Sequence, residues 1–356
     1  MSLCKLPRYF LTANSADGFI NSFQKAYSVE DGFKAYLIKG GPGTGKSSFM
    51  KKVASYAQSK GEQVELVVCG SDPDSIDGVV MADKKIIMLD ATAPHTVDPV
   101  YPAVCEEIIN LGAFWDREKI QRYSEQIVSL TKKNKELHER AKRIISAVGQ
   151  LMRNDIKVAL MATDIDKTFS YGETLAKRYL KNKGRTGTER IRYLGAVTPK
   201  GYIFYPDIIE KCDNRVIIAD EFSVVSDILL SVVRDIALSF GYEIITVKNN
   251  ILPSEIIEYI IIPEISLAFC VKNCYNNLEA NGTRLIHSQR FMNRDILKDN
   301  RGRFKLSNKL KNGLINGAVA TLYEAKEVHD KLEDFYINAM DFDSLNRFCE
   351  DFLSSI

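Results

Sequence analysis

Gly40-Gly41-Pro42-Gly43-Thr44-Gly45-Lys46-Ser47-Ser48 is the stretch that decides how this chain is read. An apolar run, Ala35-Tyr36-Leu37-Ile38, precedes it, and a stretch with helical character follows from Ser47 to Gln58. The spacing is G-x-x-x-x-G-K-[ST] between an expected strand and an expected helix. Glycines let consecutive backbone N–H groups turn inward around an anion without Cβ interference. The N-terminus of the following helix adds its partial positive charge at the same spot. Lys46 then reaches the β- and γ-phosphates of a nucleoside triphosphate, and the Ser47 hydroxyl ligates the accompanying Mg²⁺. The competing reading is a glycine-rich turn with no ligand, but every fixed position and both flanks agree with a phosphate-binding loop. The expected ligands are a nucleoside triphosphate and Mg²⁺, held by Gly40, Gly41, Pro42, Gly43, Thr44, Gly45, Lys46, Ser47 and Ser48.

Outward from that loop, the sequence repeats itself. A shift of 180 positions pairs Val53, Ala57, Ser59 and Gly61 with the identical Val233, Ala237, Ser239 and Gly241. The same shift pairs Pro73 and Ile76 with Pro253 and Ile256. Arg8-Tyr9 matches Arg192-Tyr193, Asp17-Gly18-Phe19-Ile20 matches Lys200-Gly201-Tyr202-Ile203, and Glu136-Leu137-His138 matches Glu327-Val328-His329. Repeats come before fold assignments, and a duplicated domain is the simplest account. The basic, polar stretch Lys181 to Gly187 reads as the linker. The division is therefore 1–185, with the intact loop and a long helical extension, and 186–356, a degenerate counterpart. In the second copy Asp220 to Asp227 aligns with the loop: Val225 replaces Gly45, Ser226 replaces Lys46 and Asp227 replaces Ser47. Carboxylates there repel a triphosphate, so this copy is expected to bind none.

Strands over 35–39, 64–69 and 85–90, a helix over 46–59 and a connection over 70–84 imply an α/β fold. The expectation is two tandem P-loop-NTPase-like domains with mostly parallel sheets, ligands lying at the strands' carboxyl ends. From Ile120 a long helix carries an apolar heptad seam interrupted by Asn134. Leu314, Ala318, Val328, Leu332 and Phe335 offer a partner helix for a hairpin or bundle.

Asp90 ends the apolar run Ile86-Ile87-Met88-Leu89, the pattern of a second metal carboxylate opposite Ser47. The residue after it is Ala91, where many hydrolytic relatives of such loops place glutamate. His95 and Asp98, in the following loop, are candidates to orient water or a second substrate, or else form a proline-bounded turn. Asp72, Asp74 and Asp77 in Ser71–Gly78 are either turn formers or contacts for a second substrate. Arg284 and Arg290 are candidates for an arginine reaching the γ-phosphate from the second copy.

Composition narrows the classes. Lys plus Arg number 48 and Asp plus Glu 46, for a net charge of +2, so bulk charge favours neither nucleic acid nor anionic membrane. The basic Arg178–Arg192 stretch is better read as linker than as a nucleic-acid site. Ile256 to Val271 is too short and too charged to span a bilayer. The opening Met1 to Pro7 has no apolar signal core. Seven cysteines lack metal-ligand spacing and read as free thiols. A cytoplasmic location follows.

Arg8-Tyr9-Phe10 with Gly18-Phe19, then Gly40 to Ser48, then Asp90-Ala91-Thr92-Ala93-Pro94-His95, together resemble a bacterial family of tandem P-loop ATPases or ATP-binding proteins. The resemblance runs over essentially the whole chain. It implies a P-loop NTPase fold and ATP as ligand, and names no physiological substrate or partner. The second half of that family can carry a fuller phosphate loop, from which Asp220–Asp227 departs. The expected function is a Mg-ATP-dependent ATPase with Lys46, Asp90 and His95 in catalysis. It would couple the nucleotide to a domain rearrangement or to a protein or small-molecule partner. A small-molecule or nucleotide kinase, or a nucleotide-controlled binding module with little turnover, is the alternative.

Overall fold

A computed structural model describes Leu3, residues 6–276, Leu278 and residues 284–356. Cys4, one of the expected free thiols, and the opening Met1, Ser2 and Lys5 lie outside the described residues. The first half runs β1 (Arg8–Tyr9), β2 (Thr12–Ser15), β3 (Gly18–Asn21), β4 (Lys34–Lys39), α1 (Lys46–Ser59), β5 (Val64–Val68), β6 (Ile76–Met81), β7 (Ile86–Asp90) and β8 (Glu106–Asn110). Helices α2 (Arg117–Gln121), α3 (Ser124–Ala162) and α4 (Ile165–Tyr179) follow. The second half runs β9 (Thr188–Arg192), β10 (Gly195–Thr198), β11 (Gly201–Phe204), α5 (Asp207–Glu210), β12 (Asn214–Ala219), α6 (Val224–Ser239), β13 (Glu243–Lys248), β14 (Ile257–Ile262), β15 (Leu267–Lys272) and β16 (Arg284–His287). It ends with α7 (Arg294–Asp299), α8 (Arg301–Ile337) and α9 (Phe342–Ser355).

The protein is α/β, built on two six-stranded mixed sheets. Their orders are β1-β5-β6-β7-β4-β8 and β9-β13-β14-β15-β12-β16, the same arrangement twice. In each sheet one strand, β6 or β14, runs against the others. That corrects the sequence reading, which took 70–84 for a plain connection. All six β6 residues are buried, and a strand covered on both faces shows no alternation to read. Gly78 sits there because a Cβ would come within 2.8 Å of the Met88 carbonyl oxygen and of Leu89.

Strand register also shifts the gapless alignment by one position. Ile38 pairs with Asp90, whereas its counterpart Ile218 pairs with Val271, so Val271 and not Cys270 stands where Asp90 does. A similar correction applies farther on. Asp116 N–H donates to Ala339 O (2.8 Å) and Asn293 N–H to Ala162 O (2.7 Å). These matched bonds relate Asp116 to Asn293 and Ala162 to Ala339, so the His138 and His329 motifs are not equivalent positions.

Each sheet carries helices on one face and meets the other sheet on the opposite face. Leu37, Val67, Ile87 and Leu89 share one continuous core with Ile217, Ile245, Tyr259 and Cys270. On the outer face of the first sheet, Tyr36, Ile38 and Met88 pack with Phe49, Met50 and Val53 of α1. The same cluster includes Leu345, Cys349 and Phe352 of α9, a helix from the far end of the chain. Reciprocally, Leu175 and Ala176 of α4 cover Val216, Ile218 and Phe269 of the second sheet. A boundary at 185/186 thus separates the strands of the two sheets but not their covering helices.

Helices α3 and α8, of 39 and 37 residues, lie side by side along this body. Ala141, Ile145 and Val148 pack with Ile315, Ala318 and Leu322, and Leu137 with Ala325 and Val328. Each fully buried aliphatic side chain stabilises the pairing by roughly 1.5–3 kcal/mol. The expected partner seam is present. The Asn134 side-chain oxygen is buried there without a hydrogen bond among the described residues. No helix among the described residues is long and apolar enough to cross a membrane.

Candidate functional site

The site forms where β4 and β7 end and β6 begins. The central strand β4 is buried from Ala35 to Ile38, and Ile38 delivers the chain to Gly40 at the sheet edge. Gly43 and Gly45 take φ of 68° and 79°, a region costly for other residues. Those two left-handed residues turn the loop before α1 begins at Lys46. Thr44 is buried and its hydroxyl donates to Gly41 O (2.9 Å). Thr92, two residues beyond Asp90, clamps the loop's start: its hydroxyl donates to Gly40 O (2.9 Å) and accepts from Gly40 N–H (3.2 Å).

Lys46 folds back over the loop, donating to Gly40 O and Gly41 O, both at 2.8 Å. Its ammonium lies 3.6 Å from Asp90 Oδ2. The other Asp90 oxygen accepts from Thr92 N–H (2.9 Å). Ser47 Oγ accepts from Ile76 N–H (3.0 Å), which ties α1 to the start of β6. Lys46, Ser47 and Asp90 are thus brought together. Ser48 is exposed.

One amide of this loop already faces an anion. Gly43 N–H donates to Glu333 Oε1 at 3.3 Å, and Glu333 belongs to α8, in the other half of the chain. His329, one turn earlier, stands 3.4 Å from the same carboxylate. A hydrogen bond from His329, more than the one from Gly43, holds the Glu333 carboxyl below its ordinary value. The surrounding cover is tight. A Cβ on Gly43 would meet Glu333 O at 2.8 Å and Ile337 at 2.9 Å, and one on Gly41 would meet Trp115 at 3.1 Å. Trp115 and Tyr336 rings lie 5.5 Å apart above Gly41. Sequence reasoning missed Glu333 and Trp115. Neither belongs to a local motif, and only the packing of α8 across the halves reveals them.

Beside Asp90 lies a buried polar group. Register pairs Gly78 with Leu89, which sets Asp77 across from Asp90. Asp77 Oδ2 is 3.6 Å from His95 Nε2, and both side chains are about nine-tenths buried, at 6% and 10% exposure. Burial pushes the Asp77 carboxyl up, against the pull of His95 and of a hydrogen bond from Cys69. Burial likewise keeps the Cys69 thiol protonated. His95 is held between Phe19 and Phe23, with ring centroids at 5.3 and 5.4 Å.

Other candidates lie elsewhere. Asp98 is exposed and pairs with Lys39 at 3.0 Å. Asp72 accepts from Ser75 and lies 3.6 Å from Lys326, while Asp74 pairs with Lys200, so these two are turn formers and surface partners. Arg290 lies over Tyr171 and Phe291, and Arg284 donates to the Tyr171 hydroxyl (2.7 Å). Neither arginine is at the Gly40–Ser47 loop.

At the matching corner of the second sheet, α6 begins two positions earlier and Asp220 is buried. Its carboxylate accepts from Ser226 N–H (2.8 Å) and Phe222 N–H (3.2 Å). Asp227 accepts from Ile257 N–H at 2.8 Å, as Ser47 does from Ile76. This helix N-terminus is satisfied by its own local carboxylate.

Chemically, the first corner offers backbone donors and an ammonium to an anion, and a hydroxyl with a nearby carboxylate to a divalent cation. No cluster of three or more His, Cys, Asp or Glu arranged for a metal ion occurs among the described residues. Comparisons with protein-family models, with curated proteins and with solved structures returned no match.

Proposed function

We propose that the chain is a P-loop ATPase, a duplicated pair of which only the first copy takes Mg·ATP. The observation that carries this reading is the carboxylate of Glu333 seated on the Gly43 amide. An anion held by a main-chain amide at a glycine-rich helix entry supports a phosphate at the same place. Lys46 supplies the mobile positive charge, and Ser47 with Asp90 would hold Mg²⁺, which neutralises phosphate charge when bound. This chain's own contribution to rate is positioning and electrostatic stabilisation at the terminal phosphoryl group.

The coupling follows from charge. Glu333 and a phosphate compete for the same donors and repel one another, so occupancy by nucleotide displaces the carboxylate. Because Glu333 is part of a 37-residue helix packed along α3, its displacement is felt in the second half. That half keeps the scaffold while Asp220 fills its own donors, consistent with a responding element and not a second nucleotide site. The partner that reads this movement is a protein or a small molecule. Six free cysteines among the described residues support a reducing compartment, the cytoplasm.

Phosphate release from ATP alone, then with nucleosides added, tests the reaction. Release without an acceptor supports the ATPase. ADP formation that depends on a nucleoside supports a kinase instead.

A further inference from the structure

Asp77 and His95 form a pair that the phosphate and metal contacts leave unused. Asp77 Oδ2 and His95 Nδ1 are buried with no hydrogen-bond partner among the described residues. A buried carboxylate oxygen without a partner is destabilising, and such groups gather where chemistry requires them. The location is informative. Ile76 N–H is bonded to Ser47 Oγ, and Asp77, the next residue, lies across from Asp90. The charged or titratable groups facing it are His95, Asp90, Cys69 and Lys46.

The second half provides an internal comparison. Strand register places Glu258 where Asp77 stands. Asn249 occupies the position of Cys69, since Cys69 N–H bonds Ser75 O and Asn249 N–H bonds Ile256 O in the same way. There Asn249 donates to Glu258 Oε1 at 2.9 Å. The half without the glycine loop therefore gives its carboxylate a strong donor. The half with the loop leaves one Asp77 oxygen without a hydrogen-bond partner among the described residues.

We propose that Asp77 is the proton acceptor for the hydroxyl nucleophile of the phosphoryl transfer, with His95 as its positioning residue. This rests on the ATP reading given above and adds the group that stands in for the missing glutamate after Asp90. The nucleophile is water or an alcohol acceptor, which share the same O–H chemistry. Its O–H proton passes to Asp77 Oδ2 as its oxygen bonds the terminal phosphorus. The phosphorus–oxygen bond to the departing diphosphate breaks and keeps its electron pair on that leaving group. Asp77 then returns the proton to solvent by way of His95.

The test compares wild type, Asp77→Asn and His95→Gln by titration with a fluorescent ATP analogue, steady-state turnover with and without nucleosides, and thermal melting of the nucleotide-free protein. For Asp77→Asn, turnover is expected to fall by about 10²–10⁴-fold with affinity within roughly threefold. Its melting temperature should be unchanged or higher, because a role confined to structure would lower it. For His95→Gln, kcat should fall while KM for ATP holds. Should Asp77→Asn fail to fold, the kcat and KM split in His95→Gln decides the matter alone. Turnover retained in Asp77→Asn overturns the inference and leaves the ATPase reading intact, whereas binding without turnover in the wild type overturns both. Failure of the wild type to bind ATP instead overturns the reading on which the inference rests.

Discussion

Glu333 and Gly43 stand 290 positions apart in the chain and are joined by a 3.3 Å hydrogen bond from the loop amide to the carboxylate. This contact makes the glycine loop and helix α8 a single electrostatic unit. It is the contact through which, under the proposed function, occupancy of the loop would be felt in the second half.

Replacing Glu333 by Gln keeps a hydrogen-bond acceptor but removes the charge that would compete with phosphate. Charge-assisted hydrogen bonds are about twice as strong as neutral ones. Nucleotide affinity in Glu333→Gln is therefore expected to rise by roughly three- to tenfold, read by calorimetric titration. Unchanged or weaker affinity would remove Glu333 from the competition.

Trp115 is the one tryptophan in the chain, and it lies against Gly41 and Tyr336. Its emission should change in a saturable way as Mg·ATP is added, because the cover above the loop must shift to admit phosphate. The same titration on Glu333→Gln should saturate at lower concentration. Emission that stays flat while calorimetry detects binding would mean that the cover does not move.

The reciprocal packing of α4 and α9 sets a limit on cutting the chain. Separate expression of 1–185 would leave the faces of Tyr36, Phe49 and Met88 without Leu345, Cys349 and Phe352. Each half alone is expected to be unstable or aggregated, and co-expression of both to restore a cooperative melt. A stable, monomeric 1–185 fragment would show that α9 is dispensable.

Glu258 gives stability a pH dependence. Burial pushes its carboxyl up from 4.5 to about 7, so the folded state favours the protonated form. The corresponding stability is complete below the unfolded value and is lost as pH rises through about 7, by about 3 kcal/mol. Urea midpoints should fall between about pH 5 and about pH 8 in the wild type and change less in Glu258→Gln. Equal slopes in the two proteins would mean that Glu258 is ionised in the fold.

The loop, the strands around it and the pairing of the long helices were legible in the sequence. Glycine at left-handed positions and the apolar strand before Lys46 leave few alternatives, and seams such as Ala141, Ile145 and Val148 announce a partner. Strand β6 was not legible, because burial on both faces erases alternation and Asp77 and Gly78 break the apolar run. The one-residue shift that places Val271 opposite Ile218 was hidden as well, since a gapless alignment absorbs no insertion. The exchange of α4 and α9 and the arrival of Glu333 at Gly43 are long-range events with no local signature. Asp77 was visible only as one of three loop carboxylates, and it took burial to separate it from Asp72 and Asp74.

The central claim is that the Gly40–Ser47 loop binds the phosphates of ATP through Lys46. Calorimetric titration of Mg·ATP into the wild type and into Lys46→Ala tests it most directly. Saturable binding at one site per chain, weakened at least about 100-fold in Lys46→Ala with the melt retained, is the predicted result. No binding by the wild type, or equal affinity in the two proteins, would contradict the account.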